Sequence, residues 1–237
     1  MRFRLPKPLH GWRAFAGEVG VVVLGVLIAL GAGQVVEWVN DRQVAEEARE
    51  NVRAEASLDL GFIQARIAAQ PCIVRRLDEL SAILGKAGEG MPQPQPTWIA
   101  RPPTIPFFTG RWQAATASGR NSLFAAQEQE RFGMLYQIFS RYNDYQPREQ
   151  EVWSDLRALE TWQGPLGAEA RLAFAKRLQQ AKYYAWDLNY AGTYALKTGD
   201  AMGLLSRPAP EIDAICYPIT TPRGEALRHL KAPLGEP

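Results

Sequence analysis

The sequence predicts an all-α protein in which an N-terminal transmembrane helix continues into a long stalk helix, followed by a helical-bundle domain. Three observations support this fold class. One long apolar run lies near the N-terminus, and the segments after it repeat apolar residues at helical spacing. The chain shows neither the alternating apolar and polar residues of strands nor an Asn-Gly hairpin signal.

The apolar segment (residues 19–39) contains only two polar residues, Gln34 and Glu37. As a helix it would be about 30 Å long, which is the thickness of the hydrocarbon core of a bilayer. We therefore expect a transmembrane helix over residues 17–40. A cleaved signal peptide is the alternative, because Gly31-Ala32-Gly33 supplies small residues for cleavage. The apolar residues that continue beyond Gly33 favour a retained anchor.

The charges on either side of the apolar segment predict its orientation. Four basic residues precede it, and residues 41–47 after it are rich in acids. Those basic residues are Arg2, Arg4, Lys7 and Arg13. Basic flanks stay on the cytoplasmic side, so we expect residues 1–16 inside and the bulk of the chain outside, which in a bacterium means the inner membrane and the periplasm. Trp12 and Trp38 stand at the two ends of the segment, where aromatic rings favour the interface.

The chain has two cysteines, Cys72 and Cys216, and both fall on the predicted outer side. An oxidising compartment and a single possible intrachain pairing predict a disulfide between them. Two unpaired buried thiols are the alternative.

Residues 41–86 are expected to form the stalk helix and a second helix. Apolar residues recur every three or four positions in the stalk. They are Val44, Ala48, Val52, Ala56, Leu60, Ile63 and Ile67. Pro71 is expected to end the stalk, with the second helix over Cys72–Leu84. Residues 87–111 then form a proline-rich crossover loop, and its aromatic residues predict that it packs on the domain.

Residues 112–237 are predicted to form the helical bundle and an irregular C-terminal tail. Four helices are expected here, with boundaries set by prolines, glycines and a serine cap. They run over residues 122–142, 147–162, 166–188 and 190–205.

Composition excludes several functions. The net charge is +2, without the concentrated basic surface that nucleic-acid binding needs, so we expect no nucleic-acid partner. The two histidines, His10 and His229, lie near the termini, which disfavours a catalytic triad or a histidine metal site. We therefore predict no catalytic residues, no cofactor and no metal.

Three groups of residues are candidate sites. Ser118-Gly119-Arg120 could form an anion-binding turn, although an ordinary turn is the favoured interpretation. Five aromatic residues could build a ligand pocket, although helical spacing favours a place in the core and at its rim. They are Tyr183, Tyr184, Trp186, Tyr190 and Tyr194. Finally, Gly25, Ala29 and Gly33 fall at intervals of four and could let two membrane helices pack closely.

A resemblance accompanies these observations. Residues 17–30 and 38–42 resemble the start of an uncharacterised bacterial family with a "GE-apolar-GxLIAL" anchor followed by Trp and Arg. Residues 112–123 and the pair Leu135-Tyr136 are similar to a later Ser-Gly turn and helix of such proteins. The resemblance implies a single-pass inner-membrane protein with no established activity, and it carries over no catalytic residues.

Three functions follow as hypotheses. The favoured one is a non-enzymatic, membrane-anchored protein that binds a partner, either a second copy or another inner-membrane protein, besides the lipid bilayer. The second is a periplasmic domain that senses a small molecule and acts through a membrane partner. The third, ranked last, is a cell-wall hydrolase that uses the acids Glu151, Asp155 and Glu160.

Overall fold

The computed structural model describes residues 12–87, 91–204 and 214–228 and contains no strand in these ranges, which confirms the all-α prediction. Within these ranges the chain forms five α-helices. They are α1 (Trp12–Lys86), α2 (Gly110–Ala117), α3 (Ala126–Leu156), α4 (Ala168–Ala201) and α5 (Arg223–Arg228). Three short 3-10 turns cover Arg120–Leu123, Arg157–Thr161 and Ala214–Cys216.

Helix α1 has 75 residues and is therefore about 110 Å long. Its first part holds the apolar segment, whose side chains are all exposed in the isolated chain. This is one helix that is long and apolar enough to cross a membrane. Ala45 is the first buried residue, and from there α1 becomes the central helix of the bundle.

The prediction that Pro71 ends the stalk is wrong, because α1 runs through Pro71 to Lys86 without a break. A proline inside a helix loses one hydrogen bond and crowds the preceding turn. Tertiary contacts on both sides hold the helix in register here. Gln70 donates to the carbonyl of Ala185 at 3.2 Å, and Ile73 is fully buried in the core.

Other predicted boundaries are also wrong. Pro147 lies inside α3, and the two helices predicted over residues 166–205 form the single helix α4. Ser122 belongs to a 3-10 turn and not to the cap of α3, which begins at Ala126. The sequence pattern did not indicate α2.

Helix α4 runs antiparallel to α1 and packs against both α1 and α3. Near the apolar segment, Arg53 of α1 contacts the carbonyl of Met202, and farther along Gln70 contacts Ala185. The buried face of α4 consists largely of small residues, which allow a close approach. At Gly192 a Cβ atom would collide with the Tyr142 hydroxyl and press on Ile63 and Ile67.

The crossover loop completes the third side of the bundle, between α1 and α3. The ring of Phe107 lies 6.3 Å from Phe62 of α1 and 4.8 Å from Tyr142 of α3. Asn143 and Gln146 of α3 each form two hydrogen bonds with the loop backbone, at Phe107 and Ile105. The loop thus packs on the domain, as its aromatic residues predicted.

Some predictions concern residues outside the described ranges. They include the cytoplasmic segment before Trp12, residues 88–90 of the crossover loop, residues 205–213 and the tail from residue 229.

Candidate interaction surface

The outward face of α4 carries an uncovered line of aromatic side chains, which we call the aromatic row (Tyr183, Trp186, Tyr190 and Tyr194). The exposed fractions of these residues are 51%, 60%, 63% and 45% in chain order. Their spacing of three, four and four residues puts them on one stripe of the helix, opposite the small residues that face α1. Of the predicted place in the core and at its rim, only the rim therefore describes these four residues.

The physical reason lies on the other face of α4. Ala181, Ala185, Ala191 and Ala195 are buried against the bundle, where large rings would not fit. Helix α4 thus has a narrow buried stripe of small residues and a separate exposed stripe of large ones. Tyr184, the fifth aromatic of the predicted cluster, is partly buried and packs against the core.

Rings of the aromatic row contact one another. The centroids of Trp186 and Tyr190 lie 5.9 Å apart, with their planes 16° from parallel, and Tyr183 lies 6.4 Å from Trp186. Tyr184 extends the contacts sideways, because its ring meets both Tyr183 and Tyr145 of α3. Three rings of the row therefore support one another in an apolar ridge, and Tyr194 lies one turn beyond Tyr190 on the same stripe.

Charged groups border the ridge without interrupting it. Asp187 is buried beneath the rings, with one carboxylate oxygen 3.6 Å from Arg141 of α3. Lys182 lies 3.5 Å from Asp78 of α1. From Tyr183 to Tyr194, the exposed positions are the four aromatic residues and Thr193.

Two carboxylates of α1 form hydrogen bonds with the backbone just before and at the start of α2. Glu55 accepts hydrogen bonds from the backbone of Arg111 and from the hydroxyl of Tyr136, which lies 2.9 Å away. Asp59 accepts the backbone N–H of Phe108 at 3.1 Å, and burial raises its pKa to about 8. Because the Asp59 side chain is fully enclosed, its oxygens serve the loop and are closed to a substrate.

A buried ion pair lies at mid-height in the bundle. Arg66 donates to Glu149 at 2.7 Å, and both side chains are almost completely buried. Burial raises the pKa of the Glu149 carboxyl, while the neighbouring guanidinium of Arg66 opposes that rise. Further atoms of both residues have no hydrogen-bond partner among the residues that the structure describes, so the pair is costly to the fold and fixes how α1 and α3 meet.

At the far end of α1, Arg76 and a disulfide secure the C-terminal segment. The fully buried guanidinium of Arg76 donates to Glu79 at 2.8 Å, to the carbonyl of Trp98 at 2.8 Å, and to the carbonyls of Ile99 and Tyr217. Burial lowers the pKa of Arg76. One turn earlier, Cys72 and Cys216 form the predicted disulfide, with their Cα atoms 4.8 Å apart.

Ser118-Gly119-Arg120 forms a turn between α2 and the 3-10 turn that follows. The Ser118 hydroxyl donates to the carbonyl of Ala114 at 2.7 Å, and Gly119 adopts the left-handed conformation with a φ of 72°. The glycine suits this position because it has no Cβ. The residues complete the end of α2, and the structure does not bring them near the aromatic row.

The three acids of the hydrolase hypothesis make separate contacts. Asp155 pairs with Arg177 at 2.7 Å, and Glu160 accepts the backbone N–H of Ile99 at 2.9 Å and the guanidinium of Arg157 at 3.1 Å. Glu151 is exposed on α3. Asp155 and Glu160 thus already serve structural contacts.

Two cavities lie near the far end of α1. A cavity of about 250 Å³ between α1 and the C-terminal segment is lined by Glu79, Lys86 and Pro94 among others, and an open groove of about 510 Å³ lies between the end of α1 and the start of α4. Within the ranges that the structure describes, no three His, Cys, Asp or Glu residues are placed to hold a metal ion.

Gly25, Ala29 and Gly33 lie in the apolar segment, where no other part of the described chain comes within 4 Å of a Cβ at either glycine. Their suggested role in membrane helix packing stays a prediction.

Comparison with protein families, with curated proteins and with solved structures found no match.

Proposed function

We propose that this protein is a membrane-anchored, non-catalytic interaction subunit that binds a protein partner through the aromatic row. The single observation behind the proposal is that four large aromatic side chains stand together on the surface of α4 without a cover. A patch of this size on a monomer is often functional, and Tyr and Trp are the residues that most often dominate the energy of protein interfaces.

The anchor is the second part of the proposal. The exposed apolar segment has the length of a bilayer core, and lipid would cover it. The basic residues before it favour an N-terminus in the cytoplasm. The disulfide supports a bundle on the oxidising side, which for a bacterial inner membrane is the periplasm.

Site-specific photocrosslinking in intact cells tests this function. A photoreactive residue at Trp186 of the full-length chain should give a discrete crosslinked band that contains a protein partner. The same residue at Ser154, which is exposed on α3 away from the row, is the matched control and should give none. Equal crosslinking at both positions, or none at either, would refute the proposal.

A further inference from the structure

This inference rests on the proposed function and identifies the protein partner that binds at the aromatic row. We propose that the aromatic row is the contact between two copies of this chain, which stand side by side in one membrane with their α4 helices parallel.

The area of the row suits a pair of copies. With about 200 Å² for each aromatic side chain, the exposed fractions leave about 450 Å² uncovered on one copy. Two such rows facing each other would bury at most about 900 Å², just below the ~1,000 Å² expected of a stable interface, so the rings alone correspond to a weak pair. Thr193, which is exposed, and Tyr184, which is partly exposed, lie beside the row and can add to this area.

The anchor restricts how two copies can meet. Both copies enter the membrane at the same end of α1, so both bundles point the same way. A closed pair then has its two-fold axis along the membrane normal. Because α4 runs antiparallel to α1 within each copy, the two α4 helices are parallel, and each residue of the row meets its own equivalent at the same height.

The charge pattern of α4 fits this arrangement. Equivalent charges that meet at the same height would repel each other. From Tyr183 to Tyr194 the exposed positions of α4 carry no charge. The lysines of α4 lie beyond the two ends of the row: Lys176 and Lys197 are exposed, and Lys182 is about one third exposed and paired with Asp78. The uncharged stretch is about 17 Å long, so the row can face its own copy along its whole length without a charge clash.

This interface is distinct from the small-residue stripe of the apolar segment. The row lies on the face of α4 that points away from α1, so two α4 helices would stand between the two α1 helices. At about 9 Å for each helix contact, the α1 helices are then roughly 27 Å apart, too far for Gly25, Ala29 and Gly33 to touch their equivalents.

Charge-swap co-purification tests the inference on the full-length chain. Two copies with different tags are expressed together and captured from mild detergent through one tag. Tyr190→Glu in both copies should lower recovery of the second copy at least about tenfold, since like charges meet at one height. Tyr190→Glu in one copy with Tyr190→Lys in the other should restore it.

Two controls give the outcomes their meaning. Ser154→Glu in both copies should leave recovery unchanged, and Gly25→Leu should do the same. Thermal unfolding of each variant should match the parent chain, because Tyr190 is exposed. Loss of recovery with Gly25→Leu, or failure of the mixed Glu and Lys pair to recover, would overturn the aromatic row as the contact between the two copies.

The same material separates this inference from the proposed function. A crosslink from Trp186 to a different protein, with no pairing of copies, would refute the second copy as partner and leave the interaction function standing. A chain that crosslinks to nothing at Trp186 would refute both.

Discussion

At the scale of residues, the sequence did not predict that α1 buries charged side chains among its core positions. The buried positions of α1 follow a repeat of four and three, from Val52 through Ala56, Asp59, Ile63 and Arg66 to Leu84. Asp59 and Arg66 thus occupy core positions of a heptad. The alternating spacing is visible in the sequence, but the identity of the partners is not, because Phe108 and Glu149 are distant along the chain.

The buried carboxyl of Asp59 should make stability depend on pH. Its pKa in the folded protein, about 8, lies above the usual 3.8, so the folded state holds a proton that the unfolded state has lost. The stabilising contribution is complete below about pH 4 and is lost as the pH rises through about 8. We expect Asp59→Asn to flatten the fall in stability between pH 5 and 8, measured by urea unfolding of the full-length protein in detergent.

Glu149, whose pKa is also raised, is present in both chains and cancels in this comparison. Asparagine keeps an oxygen that can accept the N–H of Phe108. Identical pH slopes in the parent chain and in Asp59→Asn would show that Asp59 is ionised in the folded protein.

At the scale of elements, the helical character of most segments could be predicted, whereas the ends of the helices could not. Pro71 and Pro147 are breakers in an isolated chain, but each lies within a helix whose neighbouring residues are held by other elements. Gln70 is tied to α4 and Gln146 to the crossover loop. Such contacts are long-range, so local sequence does not contain them.

Because α4 packs closely against its neighbours, adding one methyl group at Gly192 should lower the free energy of unfolding. Gly192→Ala would put a Cβ against the Tyr142 hydroxyl, which is held by a hydrogen bond of 2.5 Å to the carbonyl of Leu188. We expect the variant to lose about 1–3 kcal/mol of unfolding free energy, as overpacked cores do. Chemical denaturation of the full-length chain measures it.

Gly133→Ala is the matched control, since Gly133 lies inside α3 with only the edge of the Trp112 ring at 4.0 Å. There the added methyl should stabilise by up to about 1 kcal/mol through helix propensity. Equal losses at both positions would mean that α4 does not approach α1 and α3 as closely as described.

At the scale of the whole molecule, the disulfide closes almost the entire bundle into one loop. Cys72 and Cys216 are 144 residues apart, for which chain entropy predicts a stabilisation of about 5 kcal/mol. The double variant Cys72→Ala, Cys216→Ala should lose about 2–5 kcal/mol in urea unfolding. It should still fold, because Arg76 continues to hold the carbonyl of Tyr217.

The parent chain treated with a reductant is the matching control and should reach the same reduced stability. If reductant and double substitution both left the unfolding midpoint where it was, the two cysteines would be unpaired thiols in the protein, and the argument from the disulfide to an oxidising compartment would be lost.

For the aromatic row, the sequence predicted the shared stripe but not its exposure to solvent. The sequence shows that large aromatic residues share one stripe of α4, but the same spacing is typical of a buried face. Which stripe is covered depends on the alanines and on Gly192, which let α4 lie close to α1 and leave the rings outside. Which stripe of α4 is buried is therefore decided by how closely the helices can pack and not by the hydrophobicity of the stripe.

The unbroken course of α1 has a mechanical consequence. From residue 39 to Lys86 the helix is continuous for about 70 Å, so in the proposed anchored state a tilt of about 10° in the lipid would move its far end sideways by roughly 12 Å. Bilayer thickness alters the lean of membrane helices. A small change in the tilt of the apolar segment would thus displace the far end of α1 by about the width of one helix.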